Sequence, residues 1–199
     1  MTAPEGLLLF HGAGGDRDHR LFLRLEAELA DTLGLPVARC NFPYREKGPG
    51  RRPPDRMPKL LTSIEEHRQR CAEEWGVDPA SLVLGGRSMG GRACSMAVAE
   101  GTPAPGLLLL SYPLHPPGKP EKLRTEHFGE LGLPILLVQG ASDPFGKEPE
   151  FAEHVDAIPG ELTQCWLPKT GHDPVEKHDD TAVAAVIDWL VGLARDRRG

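Results

Sequence analysis

The chain has 199 residues, enough for one domain of ordinary size whose folding buries about 70% of the unfolded chain's surface. A net charge of −6 leaves no basic excess for phosphate contacts, which argues against a general nucleic-acid binder. With 23 glycines and 20 prolines the composition stops short of low complexity, and it predicts tight turns or close backbone approaches to a ligand.

The opening MTAPEG lacks a basic stretch followed by a long apolar run, and it does not read as a signal peptide. No apolar run approaches the roughly 18 residues of a membrane span. The four cysteines, Cys40, Cys71, Cys94 and Cys165, form no CxxC pair and lie in apolar-patterned segments. They read as reduced side chains of a cytoplasmic protein.

In chain order, Leu7 to Phe10 is a short apolar run of strand type. Leu21, Leu25, Leu29 and Leu33 recur every four residues along a helix that Gly34 and Pro36 stop. Val37 to Phe42 is a second strand, and residues 43 to 58 read as turns. The spacing of Ser63 and Glu66 predicts a capping box, and Leu60, Ile64, Cys71 and Trp75 mark a helix ending at Gly76. Leu82 to Leu84 is a strand, and Met89 to Glu100, rich in small residues, a helix able to pack closely on a sheet. Strands follow at Leu107–Leu110, Ile135–Val138 and Leu162–Leu167, with a short helix over Glu148 to Ala157. Val183, Val186, Ile187 and Leu190 define a last helix.

Continuous Leu/Val runs alternating with helices predict an α/β fold with a parallel sheet covered on both faces. Neither an internal repeat nor a domain boundary is visible, so residues 1–199 are expected to form a single domain, with the proline-rich stretch from Pro113 to Pro120 as a surface loop.

Gly86-Arg87-Ser88-Met89-Gly90 fits G-x-S-x-G between a predicted strand and a predicted helix. That context holds a serine on a sharp turn with its hydroxyl exposed, and glycines flank it because side chains would clash. A serine hydroxyl needs a base, and the base needs a carboxylate to fix its tautomer. His172, in Thr170-Gly171-His172-Asp173, lies between the last strand and the last helix. Asp143, in Gln139-Gly140-Ala141-Ser142-Asp143-Pro144, follows a strand; Asp173 and Glu148 are rival acids. Ser88, Asp143 and His172 each fall just past a strand's C-terminal end, the edge where open α/β sheets bind ligands. The amide of Met89 is one candidate oxyanion donor. The loop His11-Gly12-Ala13-Gly14-Gly15 offers a second at Ala13, with Gly12 beside it. Arg17 stands where a dinucleotide fingerprint needs glycine.

HGAGG, GRSMGGR, YPLHPPGKPEKLR, QGASDPFG and GHD together resemble the α/β-hydrolase superfamily. The nearest branch is the small, lid-less, dienelactone-hydrolase-like group, which includes testis-expressed hydrolase-like proteins and the hydrolase-like domain of a chromatin-complex subunit. The resemblance runs from Leu7 to the last helix. It implies a three-layer α/β/α sandwich of about six mostly parallel strands in the order 2-1-3-4-5-6, without a cap domain. It also implies a triad of Ser88, Asp143 and His172. Only Ser111 to Gly132 follows the fourth predicted strand, too short a stretch for a cap domain, so a shallow site suited to a small acyl substrate is expected, and the proposed chemistry requires no cofactor. Arg87 and Tyr112 are candidate substrate-binding residues, Arg87 for an anionic group; Arg92 and the loop arginines Arg51, Arg52 and Arg56 add charge nearby. The alternatives are a catalytically silent protein-interaction module and a binder of small acids. The remaining histidines show no metal-ligand spacing, no nucleic-acid or membrane partner is expected, and the sequence leaves the oligomeric state open.

Overall fold

The computed structural model describes residues 3–47, 52–173 and 178–195. Six parallel strands form one sheet: β1 (Gly6–Phe10), β2 (Val37–Cys40), β3 (Leu82–Arg87), β4 (Leu107–Leu110), β5 (Ile135–Gly140) and β6 (Leu162–Leu167). Their spatial order is β2-β1-β3-β4-β5-β6. Leu7 lies opposite Val37 on one side and Val83 on the other, and Leu110 lies opposite Val138.

Side chains alternate across a strand, so the leucine runs feed two cores at once. Leu7 and Leu9 point to one face, with Leu108, Leu110, Leu136 and Val138. Two helices cover it, α1 (Arg20–Leu33) and α6 (Asp179–Arg195). Leu8 and Phe10 point to the other, with Leu84, Leu109 and Leu137, beneath α3 (Met57–Trp75) and α4 (Met89–Ala99). The fold is thus the expected three-layer sandwich. The edge strands β2 and β6 are only half covered.

Several boundaries differ from the sequence pattern. Ser63 is not a helix cap, because Pro58, suited to a first turn, starts α3 earlier and leaves Ser63 buried in its interior. The turn-rich stretch contains a short helix, α2 (Pro43–Glu46), again opened by proline. The second strand ends at Cys40, and β3 runs on to Arg87 because its glycines still pair with β1 and β4. The helix at Glu148 stops at Ala152 (α5) and continues only as a 3-10 turn at Val155–Ala157. Leu33, at the end of α1, is exposed, and the buried face is completed by Phe22 instead.

The connection from β4 to β5 carries only a 3-10 turn at Phe128–Glu130, so no cap covers the sheet's C-terminal rim there. Cys40, Cys71 and Cys94 are free and buried, and Cys165 is free and half-buried.

Candidate active site

Ser88 sits between β3 and α4 with φ 52° and ψ −117°, a left-handed conformation that non-glycine residues avoid. The sharpness of this elbow depends on Gly90, where an added Cβ would fall on the Phe10 carbonyl. The absence of a side chain there lets α4 start directly against the end of β1.

The Ser88 hydroxyl lies 2.8 Å from His172 Nε2, and His172 Nδ1 lies 2.8 Å from Asp143 Oδ2. Asp143 is fully buried. An ionised carboxylate only accepts, so Nδ1 carries the imidazole proton, and Nε2 is left to accept from the serine. Asp143 is held on both oxygens. Oδ1 accepts from the Phe145 amide at 2.8 Å, and Oδ2 accepts a second bond from Gln139 Nε2 at 2.9 Å. The Phe145 ring stacks on His172 with centroids 4.1 Å apart.

The acid and histidine loops are stitched together by main chain: Ala141 N donates to Leu167 O and Ser142 N to Thr170 O, each at 2.9 Å. Gly140 permits this approach, since a Cβ there would meet the Thr170 and Gly171 carbonyls.

The loop after β1 runs beside the serine. A Cβ on Gly12 would lie 3.3 Å from Ser88 Cβ. His11 fixes this loop. Its Nδ1–H donates to Gly12 O at 2.8 Å, and its Nε2 accepts from the Phe42 amide at 3.1 Å. Burial holds the His11 pKa below its ordinary value, which suits a neutral ring with one donor and one acceptor. Tyr44 donates to Ala13 O at 3.0 Å. Met89 opens α4, so its amide faces no intrahelical acceptor.

Ser88, His172, Asp143, Met89, Gly12 and Ala13 therefore share one rim of the sheet. Tyr112 does not line it: the residue is fully buried, and its hydroxyl donates to Arg124 O at 2.6 Å. Arg87 is already engaged, its Nη2 donating to His172 O at 3.1 Å and lying 3.4 Å from Asp173 Oδ2. Asp173 also approaches His19, at 3.7 Å, and Glu148 is exposed at the start of α5. Arg51 lies outside the described residues, and Arg52 donates to Lys47 O.

Four residues of this constellation were not singled out from sequence: His11, Tyr44, Gln139 and Phe145. Two of them carry a visible signal, since His11 and Gln139 are polar residues closing otherwise apolar strand segments.

The parallel sheet and the elbow define the α/β-hydrolase class of fold. The chain belongs to the alpha/beta hydrolase domain family, whose sequence profile matches residues 3–191. Similar solved structures include Est1E of Butyrivibrio proteoclasticus with ferulic acid bound, 16% identical, covering 96% of this chain and 90% of that one at a TM-score of 0.79. A monoacylglycerol lipase of Paleococcus ferrophilus is 17% identical over 96% of both chains, with a TM-score of 0.75. A putative hydrolase of the alpha/beta superfamily from Xanthomonas campestris pv. campestris is 22% identical over 96% of this chain and 99% of that one, at 0.67. At these identities the likeness is one of fold. Among the described residues no helix is long and apolar enough to cross a membrane, and no three His, Cys, Asp or Glu side chains group as metal ligands.

Proposed function

We propose that the protein is a serine hydrolase that cleaves a small carboxylic ester, lactone or thioester through an acyl-enzyme. The observation that carries this reading is the unbroken hydrogen-bond chain from Ser88 Oγ through His172 to Asp143. Ser88 Oγ attacks the carbonyl carbon while its proton passes to His172 Nε2. Asp143 stabilises the imidazolium that results. The carbonyl oxygen gains negative charge and is held by the Met89 amide and the Ala13 amide, with Gly12 alongside. His172 then protonates the leaving group, and water, deprotonated by the same ring, releases the acid and frees Ser88. The uncapped rim favours small, soluble acyl groups of the kind the dienelactone-hydrolase-like branch handles. The reaction as written needs no cofactor.

A fluorophosphonate reagent tests this. It should label the purified protein at Ser88, Ser88→Ala should abolish labelling, and short p-nitrophenyl esters or acyl thioesters should be turned over only by the wild type. Folded wild-type protein that neither labels nor hydrolyses any of them would overturn the proposal.

A further inference from the structure

The sheet has two open edges, and they are built differently. β2 has four residues, and its Arg39 is bound to Glu26 at 2.8 Å and to Asp18 at 2.6 Å. A short strand that carries a charge is a protected edge. β6 has six residues, Leu162-Thr163-Gln164-Cys165-Trp166-Leu167, with no charge, no proline and no glycine. Thr163 and Gln164 are exposed, and Leu162, Cys165 and Trp166 are half-buried. An uncharged, unprotected edge of this kind is a template for another strand.

The ladder to β5 fixes which backbone groups of β6 are free. Ile135 N donates to Glu161 O, and Ala141 N donates to Leu167 O. Successive residues of a strand turn their N–H and C=O groups to opposite sides. Glu161, Thr163, Cys165 and Leu167 therefore face β5, and the amides and carbonyls of Leu162, Gln164 and Trp166 face outward, where no strand lies. A groove of about 420 Å³ between β6 and α6, lined by Thr163, Cys165, Ala185 and Asp188 among others, leaves this edge open on the α6 side.

The symmetry of the edge says what fits it. Antiparallel pairing of two copies about a two-fold axis at Gln164 sets each Gln164 opposite its own counterpart and Leu162 opposite Trp166. These outward-facing pairs exchange two N–H···O bonds each, and Thr163 and Cys165 form the closer, non-hydrogen-bonded pair. Leu162 against Trp166 is an aliphatic–aromatic cross-strand contact of the stabilising kind. The charges agree with this register. Glu161 stands just before β6 and Lys169 two residues after it, both exposed. Among the described residues neither has an opposite charge within ion-pair distance. Antiparallel pairing makes Glu161 of one copy a diagonal neighbour of Lys169 of the other, at both ends of the ladder. Parallel pairing in register would set Glu161 beside Glu161 instead.

We propose that two copies of the chain pair antiparallel through β6, joining their sheets into one. Such an interface uses the same patch on both subunits, so it closes as a dimer, and the charged β2 strands at the far ends oppose further growth. The proposal does not depend on the serine-hydrolase reading, and Ser88→Ala should dimerise as the wild type does.

Sedimentation velocity tests it. The wild type should be dimeric at about 100 µM and dissociate on dilution. Gln164→Lys puts two ammonium groups at the axis and should weaken the dimer about tenfold or more, with the circular dichroism of the folded protein unchanged. Glu161→Lys should weaken it too, and adding Lys169→Glu should recover most of that loss. A second readout does not depend on affinity. In Thr163→Cys the new thiol faces Cys165 of the other copy at a spacing a disulfide spans, so diamide should give a covalent dimer. Adding Cys165→Ala should abolish the cross-link, because Cys40, Cys71 and Cys94 are buried. A wild type that stays monomeric at about 100 µM would overturn the proposal and leave the edge to a strand of a different protein. A dimer that Gln164→Lys leaves intact, a double charge exchange that recovers nothing, or a cross-link that survives without Cys165 would each overturn it as well.

Discussion

Gln139 Nε2 donates to Asp143 Oδ2 at 2.9 Å, and the oxygen it holds is the one that receives His172 Nδ1. Gln139 is fully buried at the end of β5, and the same nitrogen lies 3.3 Å from both Tyr112 O and Gly146 O. The side chain thus ties the carboxylate to two backbone segments. It fixes where the acid points without touching the serine.

Gln139→Leu should therefore lower kcat by about tenfold to a hundredfold with little change in KM, the effect of removing one hydrogen bond to a charged group. Gln139→Glu should behave differently. Two buried carboxyls side by side share a proton, so one pKa rises. Activity should then be poor at neutral pH and recover as pH increases, a profile that simple loosening of the fold does not produce. An unchanged pH–rate profile in Gln139→Glu would refute this role.

Arg87 was expected to hold a substrate anion, yet its guanidinium is occupied by the loop that carries His172. Arg87→Ala should release that loop and lower kcat about tenfold for neutral and carboxylate-bearing esters alike, by loss of a hydrogen bond and an ion pair in a half-buried position. Steady-state kinetics on the two esters decides the matter. A drop confined to the anionic ester would return Arg87 to substrate binding.

The legible part of this molecule is the part written in short-range pattern. Leu7–Phe10 and Leu107–Leu110 are unbroken apolar runs because both faces of the central strands are covered, and the glycines around Ser88 announce the elbow. Helix starts were harder to read. Pro58 opens α3, and its signal lay hidden in a proline-rich stretch. Tyr112 and Arg92 show a deeper limit. Both are polar side chains next to the rim in sequence, yet Tyr112 turns inward, its hydroxyl held by the β4–β5 connection, while Arg92 Nε has no hydrogen-bond partner among the described residues. Distances between loops are not encoded in local periodicity.

The elbow glycines differ in what they tolerate. At Gly90 a methyl group would coincide with the Phe10 carbonyl, backbone that cannot yield without separating α4 from β1. Gly90→Ala should cost about 3 kcal/mol or more in urea unfolding, a magnitude reserved for severe overpacking. Gly14, in the loop after β1, has nothing within 4 Å of an added Cβ, so Gly14→Ala should stay within about 0.5 kcal/mol. Equal stability of the two variants would contradict this packing.

Acid should destabilise the protein in two steps. Burial lowers the pKa of His11, His67 and His127 below the ordinary 6.5. Between those lowered values and 6.5 the unfolded chain binds more protons than the folded one, so stability present above pH 6.5 is lost as pH falls. Hydrogen bonds from Arg68 hold the Glu65 carboxyl below its ordinary 4.5, so its contribution disappears only as pH drops below that value. Urea midpoints measured from pH 8 to 3 should show both declines, and His67→Gln should shrink the first while sparing the second. A flat midpoint between pH 7.5 and 5.5 would be incompatible with neutral buried histidines.

Tyr44 bears on the oxyanion loop rather than on the triad. Burial pushes its pKa up to about 12, so the hydroxyl remains a donor at every working pH, and it donates to the Ala13 carbonyl. The amide and carbonyl of Ala13 belong to the same short loop, which His11 secures from its other side. Removing the hydroxyl leaves the loop in place but loosens the donor that the proposed mechanism aims at the oxyanion. Tyr44→Phe should cost about 1 kcal/mol in stability. Its kcat should fall about tenfold, less than the 10² to 10³ expected for outright loss of an oxyanion donor. A boronic acid that mimics the tetrahedral intermediate should lose affinity in step with kcat while KM for the ester stays nearly constant, because the oxyanion forms only after attack. If Tyr44→Phe lowers stability but leaves both kcat and boronate affinity untouched, the Ala13 amide is not an oxyanion donor, and the second hydrogen bond must come from Gly12.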